Sequence, residues 1–428
     1  MKLQCDINLP ASKSESNRAL MIAAYGGFAP DFQNLSDSKD TQTLLDALQG
    51  LPPIDSIANP TTHPRNDIGG DPRVIDIADC GTAARFLTTF LACRKGDWIL
   101  TGSERMCQRP IAPLVNCLRM LGADIQHVDN EDCLPLRIVR KPISGGKVQI
   151  EMHQSSQFAS SLLMAAPTWP QGLEMELLGE LSSLPYLEMT LTMMRHFGAD
   201  VERNGRLISV RTKPYQSRSF EIEPDWSAAS YWYEMAALSE ECEIKLNGLR
   251  GPSTGSGTST LQGDVIIAEW MKSLGVNTII EGDSLILRKV PFEKSPLHFD
   301  FSAHPDLFPT MVATCAGLQL EARFTGISNL NIKESDRVTS MAMELAKIGI
   351  EMNKIGSDIV FLKPFSPLPH FESSCPLLFE AHNDHRVVMS LAPLALRVGS
   401  VCFDKPQAVE KSYPHFWSDA VFLSIARK

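Results

Sequence analysis

The chain has 428 residues, of which 43% are hydrophobic and 21% charged. That is the make-up of a folded globular protein, and it excludes disorder and collagen-like repetition. The length predicts two or three domains, each able to bury its own core. Forty basic against 50 acidic side chains leave a net charge of −10, which argues against nucleic acid as a partner and requires any anion site to be locally focused.

Along the chain, apolar periodicity predicts helices over residues 16–25, 82–93, 111–121, 156–165, 185–197, 227–238, 264–274, 307–316, 335–348 and 385–396. Residues 51–77 are rich in Pro, Asn, Asp and Gly and read mainly as loop, and residues 248–263 as a second loop. An amphipathic run that ends in glycine recurs at Gly50, Gly122, Gly198, Gly275 and Gly349, roughly every 75 residues. Glycine past such a run is the left-handed helix cap, so each position marks a helix-to-strand junction. Solenoid periods are shorter, and the regularity therefore predicts about six similar α/β units inside compact layers.

None of the ten cysteines has Cys-x-x-Cys spacing. The first residues lack the apolar stretch of a secretory signal, and no apolar run reaches the roughly 18 residues of a membrane span. A reduced, cytoplasmic setting without a membrane partner is expected.

Several predicted helices start beside short polar or basic clusters: Ser12 to Arg18, Gly81 to Arg85, Arg105 to Pro110, Ser155-Ser156-Gln157, Lys333 to Arg337 and Asn383 to Arg386. Helix N-termini carry unpaired N–H groups and partial positive charge, and added Lys, Arg or Ser makes a phosphate or carboxylate site. Repeated along an acidic chain, the clusters point to a strongly anionic small ligand. Taken singly, each has a plainer reading: Asp306 would be a helix N-cap after His304-Pro305, and Glu334 a first-turn partner of the helix dipole.

Other chemistries fail on particular residues. The glycines of 251–257 lack the Gly-Lys-Ser/Thr ending of a phosphate loop, and Thr260 stands where a dinucleotide fingerprint needs its third glycine. His382-Asn-Asp-His385 sets two imidazoles close together but suggests no third ligand, so no metal is expected. No Gly-x-Ser-x-Gly elbow is present.

Read in order, the clusters resemble those of the enolpyruvyl transferases, specifically the 5-enolpyruvylshikimate-3-phosphate synthases. The carriers are Leu9-Pro-Ala-Ser-Lys13-Ser14-Glu-Ser-Asn-Arg18, Gly81-Thr-Ala-Ala-Arg85, Leu100 to Pro110, Ser155-Ser156-Gln157-Phe and Pro185-Tyr186. They continue with Pro305-Asp306, Asn329-Leu-Asn-Ile-Lys333-Glu334-Ser-Asp-Arg337, Asn383-Asp-His385-Arg386 and Lys411-Ser-Tyr-Pro. The resemblance spans nearly the whole chain.

It implies a two-domain α/β fold with three repeated α/β units per domain, an inside-out α/β barrel, closing on substrate about a hinge. The discontinuous domain would comprise 1–11 and 224–428, the second 12–223, with the active site in the cleft between them. The implied reaction moves the enolpyruvyl group from phosphoenolpyruvate to the 5-hydroxyl of shikimate 3-phosphate and releases phosphate, without cofactor or metal. By match to the family, Lys13, Ser14, Arg18, Ser155, Ser156, Gln157, Ser183, Tyr186, Asp306, Asn329 and Lys333 would hold shikimate 3-phosphate. Lys13, Gly81, Arg109, Gln157, Arg337, His385, Arg386 and Lys411 would hold phosphoenolpyruvate. Lys13, Asp306 and Glu334 would carry the proton transfers. A monomer is expected, and glyphosate should compete with phosphoenolpyruvate.

The chain departs from the family at Asp79-Cys80, where an Asn and a small residue are usual; a carboxylate there would either weaken phosphoenolpyruvate binding or have its own pKa raised by the bound anion. The sister UDP-N-acetylglucosamine enolpyruvyl transferases carry a loop cysteine about five residues before an Arg-Pro pair. Glu104 occupies that position before Arg109-Pro110, which disfavours the sister reaction.

Overall fold

The computed structural model of the chain describes residues 2–49, 51, 71–251, 260–293, 295, 297–356, 359–364 and 367–423. It divides into two compact units, one of Met1–Ser12, Ser36–Lys39 and Glu223–Lys428, the other of Lys13–Leu35 and Asp40–Ile222.

Among the described residues there are six sheets. Four of them share one four-stranded pattern, a parallel pair extended by two antiparallel strands: Arg73–Asp76, Asp97–Thr101, Leu136–Val139 and Asp124–His127 in the first. Gly146–Glu151, Leu173–Leu178, Leu207–Arg211 and Asp200–Asn204 repeat it, as do Leu297–Asp300, Ala322–Thr325, Ile359–Pro364 and Ile350–Ile355. The fourth is built from Lys2–Asn8, Glu241–Asn247, Ser284–Lys289 and Val276–Glu281. The remaining two sheets are parallel pairs, Phe32–Gln33 with Phe220–Glu221 and Leu377–Phe379 with Val401–Phe403. Each unit thus holds two copies of the four-stranded pattern and one parallel pair, and in each unit one sheet pairs strands that lie far apart in sequence.

Gly122, Gly198, Gly275 and Gly349 all have positive φ, as expected of caps between helix and strand; Gly50 lies outside the described residues. The stretch 51–77 is not all loop: Arg73–Asp76 is a strand parallel to Asp97–Thr101, its short run too brief to show periodicity. Residues 52–70 and 252–259 of the two expected loops lie outside the described residues. The helix expected over 264–274 starts as the 3-10 turn Gly263–Ile266 before Ile267–Lys272. The helix expected over 385–396 breaks after Leu391 into a 3-10 turn containing Pro393, because proline cannot supply the next backbone donor. No described helix is long and apolar enough to cross a membrane.

The central helices are buried on every side. All residues of Gly81–Ala92 and Phe308–Gly317 are buried, as are nearly all of Trp226–Leu238. Helices surrounded by protein cannot show one apolar stripe, and their buried hydroxyls must find partners. Thr89 Oγ1 meets Ser161 Oγ at 2.6 Å, and Ser160 Oγ meets Thr190 Oγ1 at 2.9 Å, joining Gly81–Ala92, Ser156–Ala165 and Leu184–His196. In the other unit Ser230 Oγ, Thr310 Oγ1 and Ser390 Oγ lie 3.1 and 3.2 Å apart in succession, joining Trp226–Leu238, Phe308–Gly317 and His385–Leu391. The same kind of polar rung therefore ties three central helices in each unit.

Glu234, on the helix Trp226–Leu238, departs from this pattern. It is fully buried, neither carboxyl oxygen has a hydrogen-bond partner, and burial pushes its pKa well above the ordinary value of 4.5. It is held as the neutral acid. Above 4.5 the unfolded chain releases this proton while the folded chain keeps it, so Glu234 subtracts stability as pH rises. Glu234→Gln is expected to shrink the fall in Tm between about pH 5 and about pH 8; an equal fall in both proteins would contradict this.

Candidate active site

In the unit built from residues 13–222, the site groups sit where helices begin. Lys13 opens the helix Lys13–Gly26, and its Nζ donates to Asp40 Oδ2 at 3.0 Å, both side chains largely buried. Arg18, one turn on, is buried and donates from Nε to Thr190 Oγ1 at 2.7 Å, from Nη1 to Ser14 O at 2.9 Å and from Nη2 to Tyr186 O at 3.2 Å. Burial lowers its pKa to about 10. These bonds lock Ser14, Arg18 and Tyr186 into one cluster. Ser183, just before Leu184–His196, adopts left-handed φ 55° and is buried.

Ser155 caps Ser156–Ala165 by accepting from Gln157 N at 3.2 Å, and Gln157 Nε2 donates to Thr82 Oγ1 at 3.3 Å. That bond places the first turns of Ser156–Ala165 and Gly81–Ala92 side by side. At Gly81 itself an added Cβ would come within 2.8 Å of Arg109 Nη1 and 2.9 Å of Arg85 Nη1. Two guanidiniums therefore converge on a helix N-terminus that only glycine leaves open, an arrangement suited to a phosphate or carboxylate. Arg85 is anchored by Gly81 O at 3.1 Å and Pro110 O at 3.3 Å. Asp79 is exposed and accepts a hydrogen bond from Ser103 Oγ.

In the other unit the centre is Arg337, the first residue of Arg337–Ala346, its side chain 1% exposed. Nη1 donates to Asp306 Oδ1 at 2.9 Å, Nη2 to Glu334 Oε2 at 3.0 Å and Nε to Asp384 Oδ2 at 2.9 Å. Asp306 Oδ2 accepts from Arg386 Nη2 at 2.7 Å, and Arg386 Nη1 lies 3.5 Å from the Tyr231 hydroxyl. Burial alone would raise the pKa of Asp306, but Arg386, Arg337 and Lys333 together overcome it, so the carboxyl titrates well below its ordinary value of 3.8. Burial likewise works against the Arg337 charge, and Asp384, Glu334 and Asp306 more than restore it.

Neither Asp306 nor Glu334 plays the plainer part that residue type suggests. The N-cap of Arg337–Ala346 is Asp336, which accepts from Thr339 N, and Asp306 lies inside the 3-10 turn Pro305–Leu307. Both carboxylates are spent on guanidiniums. Lys333 follows the 3-10 turn Leu330–Ile332, and Asn329 at its start is buried with Oδ1 lacking a partner. His385 and Arg386 open His385–Leu391, with His385 Nδ1 3.7 Å from Asp384 Oδ1. Lys411 ends the 3-10 turn Pro406–Lys411 and is buried.

Sequence reasoning passed over four participants. Arg85 and Asp384 stand inside the quoted motifs and could have been found there. Asp40 and Tyr231 lie outside every motif and become relevant only through tertiary contact with Lys13 and Arg386. Among the described residues, one group of possible metal ligands has its atoms within 4.8 Å, Glu344, Glu380 and His382.

A profile of the EPSP synthase (3-phosphoshikimate 1-carboxyvinyltransferase) family matches residues 1–420. A 3-phosphoshikimate 1-carboxyvinyltransferase of Bacteroides fragilis is 39% identical over 419 residues, covering 98% of this chain and 95% of that protein. One from Haemophilus influenzae is 36% identical over 427 residues, with 96% and 95% covered. Among solved structures, EPSP synthase from Acinetobacter baumannii superposes with a TM-score of 0.68 at 22% identity, over 99% of this chain and 96% of that one. The enolpyruvyl transferase NikO from Streptomyces tendae gives 0.69 at 15% identity, over 98% and 95%; these two likenesses speak to the fold, which is the two-domain enolpyruvyl transferase fold. With a family profile matching residues 1–420 and curated relatives at 36–39% identity over nearly the whole chain, the chain belongs to the EPSP synthase family.

Proposed function

We infer that this protein transfers the enolpyruvyl group of phosphoenolpyruvate to the 5-hydroxyl of shikimate 3-phosphate, releasing phosphate, a step of the shikimate pathway. The observation that carries the chemistry is the Arg337 cluster, where substrate anions would find Arg337 and Arg386 with Lys333 close by, and where Asp306 and Glu334 stand on the same guanidinium. Lys13, Ser14, Arg18, Ser155, Ser156, Gln157, Ser183, Tyr186, Asp306, Asn329 and Lys333 are read as the shikimate 3-phosphate side. Lys13, Gly81, Arg109, Gln157, Arg337, His385, Arg386 and Lys411 are read as the phosphoenolpyruvate side. The partly buried Lys13 and the unpartnered Asn329 Oδ1 suit polar substrate groups. The enzyme is taken as a cytoplasmic monomer, and domains 1–11 with 224–428 and 12–223 as two halves that both supply substrate contacts.

Addition requires a proton at the methylene carbon and removal of one from the 5-hydroxyl; elimination reverses the methylene transfer as the bond to phosphate breaks. We assign the methylene transfers to Glu334, the hydroxyl proton to Asp306, and donation to the departing phosphate oxygen to Lys13. In the free protein Asp306 is a poor base, because two guanidiniums stabilise its charge. When the carboxylate and phosphate of substrate take over those guanidiniums, Asp306 loses that stabilisation and its basicity rises. The arginines then also stabilise charge at the reacting centre.

The decisive assay is phosphate release from phosphoenolpyruvate with shikimate 3-phosphate or UDP-N-acetylglucosamine as acceptor, beside Glu334→Gln. Release with shikimate 3-phosphate alone, cut by at least about 100-fold in the variant, is expected; release only with the UDP-sugar would move the chain to the sister reaction. Gly81→Ala is expected to raise KM for phosphoenolpyruvate about tenfold or more, since its Cβ would displace Arg109 and Arg85. An unchanged KM would remove Gly81 and Arg109 from the donor side. Glyphosate is read as a competitor for the same positions.

A further inference from the structure

Glu344 lies about two turns beyond Arg337 on the helix Arg337–Ala346, and its side chain is fully buried. Its Oε2 accepts from Lys347 Nζ at 2.6 Å and from the Glu380 backbone amide at 2.9 Å, while Oε1 lies 2.9 Å from His382 Nε2. A carboxylate already holding an ammonium and an amide accepts again from the imidazole, so Nε2 is the donor. Although Glu344, Glu380 and His382 cluster closely, that occupancy fits a structural tie and disfavours a bound cation.

His382 and Asn383 both have positive φ, 50° and 54°, and Asp384 N donates to Ala381 O at 2.9 Å. This is the pattern of a type I′ turn built without the glycine such turns favour. Non-glycine residues in this region are strained and persist only where surrounding contacts hold them. Both central side chains are held: His382 by Glu344, and Asn383 Oδ1 by Lys405 Nζ at 2.7 Å. The turn delivers Asp384, whose Oδ2 accepts from Arg337 Nε and from Ser335 Oγ, and whose Oδ1 caps the next helix by accepting from Arg386 N at 3.0 Å.

We propose that Glu344 and His382 are positioning residues for the phosphoenolpyruvate side of the site. Their hydrogen bond keeps the 381–384 turn left-handed, which keeps Asp384 on Arg337 and Arg386 at its helix start. One helix thereby fixes the donor-binding segment twice, through Arg337 at its first residue and through Glu344 near its end. The kinetic consequence rests on the enolpyruvyl-transfer reading; the structural tie does not.

The test compares His382→Ala and His382→Gln with the wild-type enzyme. Alanine retains the strain of positive φ and loses the tie, whereas glutamine keeps an amide N–H near the Nε2 position without an ionisable group. In His382→Ala, KM for phosphoenolpyruvate is expected to rise about tenfold, the size of one hydrogen bond to a charged group. KM for shikimate 3-phosphate and kcat should stay within about twofold, and glutamine should recover most of the loss. A wild-type KM for phosphoenolpyruvate in His382→Ala, or a uniform loss that follows Tm and that glutamine does not rescue, would overturn the proposal. Amide hydrogen exchange across 381–386, read without substrate, is expected to be faster in the alanine variant than in the glutamine variant; equal exchange would also overturn it. Because this second readout needs no turnover, an inactive wild-type protein would count against the reaction and leave the tie decidable.

Discussion

The guanidinium of Arg337 is nearly sealed from solvent and binds three carboxylates brought by three separate segments: Asp306 from the turn before Phe308–Gly317, Glu334 from the stretch before its own helix, and Asp384 from the turn before His385–Leu391. A buried charge of this kind is tolerated only with its partners in place, and removing one strands the others in a poorly solvated site. The positions of the three segments are therefore interdependent. Arg386 adds a second cation on Asp306, and the guanidiniums hold that carboxyl well below its ordinary range even though burial favours its neutral form.

That interdependence is laid on a repeated frame. Three helices in each unit are joined by hydroxyl pairs, Thr89 with Ser161 and Ser160 with Thr190 in one, Ser230 with Thr310 and Thr310 with Ser390 in the other. Site residues then occur at the helix starts: Gly81, Ser155 to Gln157 and Ser183 in one unit, and Asp306, Arg337, His385 and Arg386 in the other. Positive helix ends and guanidiniums reinforce each other locally. A chain with net charge −10 can in this way present strongly anion-binding positions, because the field that matters is set within a few ångströms.

Much of this was legible in the sequence. The glycines at 122, 198, 275 and 349 marked the helix-to-strand junctions because a left-handed cap is a local requirement that a residue type reveals. Several motif residues, Gly81, Ser155, Arg337 and His385 among them, fell at helix starts. The pairing of Lys2–Asn8 with Glu241–Asn247 was beyond periodicity, which carries no information on partners so distant in the chain. The true work of Asp306 and Glu334 was hidden as well: both look like helix-start residues until Arg337 and Arg386 are placed against them in three dimensions. Asp40, which holds Lys13, had no signal at all, since a single carboxylate in an amphipathic helix ordinarily faces solvent. The strain at His382 and Asn383 was invisible for a different reason: neither residue type demands positive φ.

In the proposed reaction Asp306 would link the resting cluster to catalysis, since its basicity is held down by guanidiniums that substrate anions are read as taking over. The direct measurement is its carboxyl titration by carbon NMR, assigned with Asp306→Asn, in the free protein and with both substrates or an unreactive analogue of phosphoenolpyruvate bound beside shikimate 3-phosphate. A pKa well below 3.8 in the free protein that climbs on ligand binding is expected. A titration that stays where it was, or falls further, when the anions bind would contradict the hand-over of Arg337 and Arg386 from carboxylate to substrate.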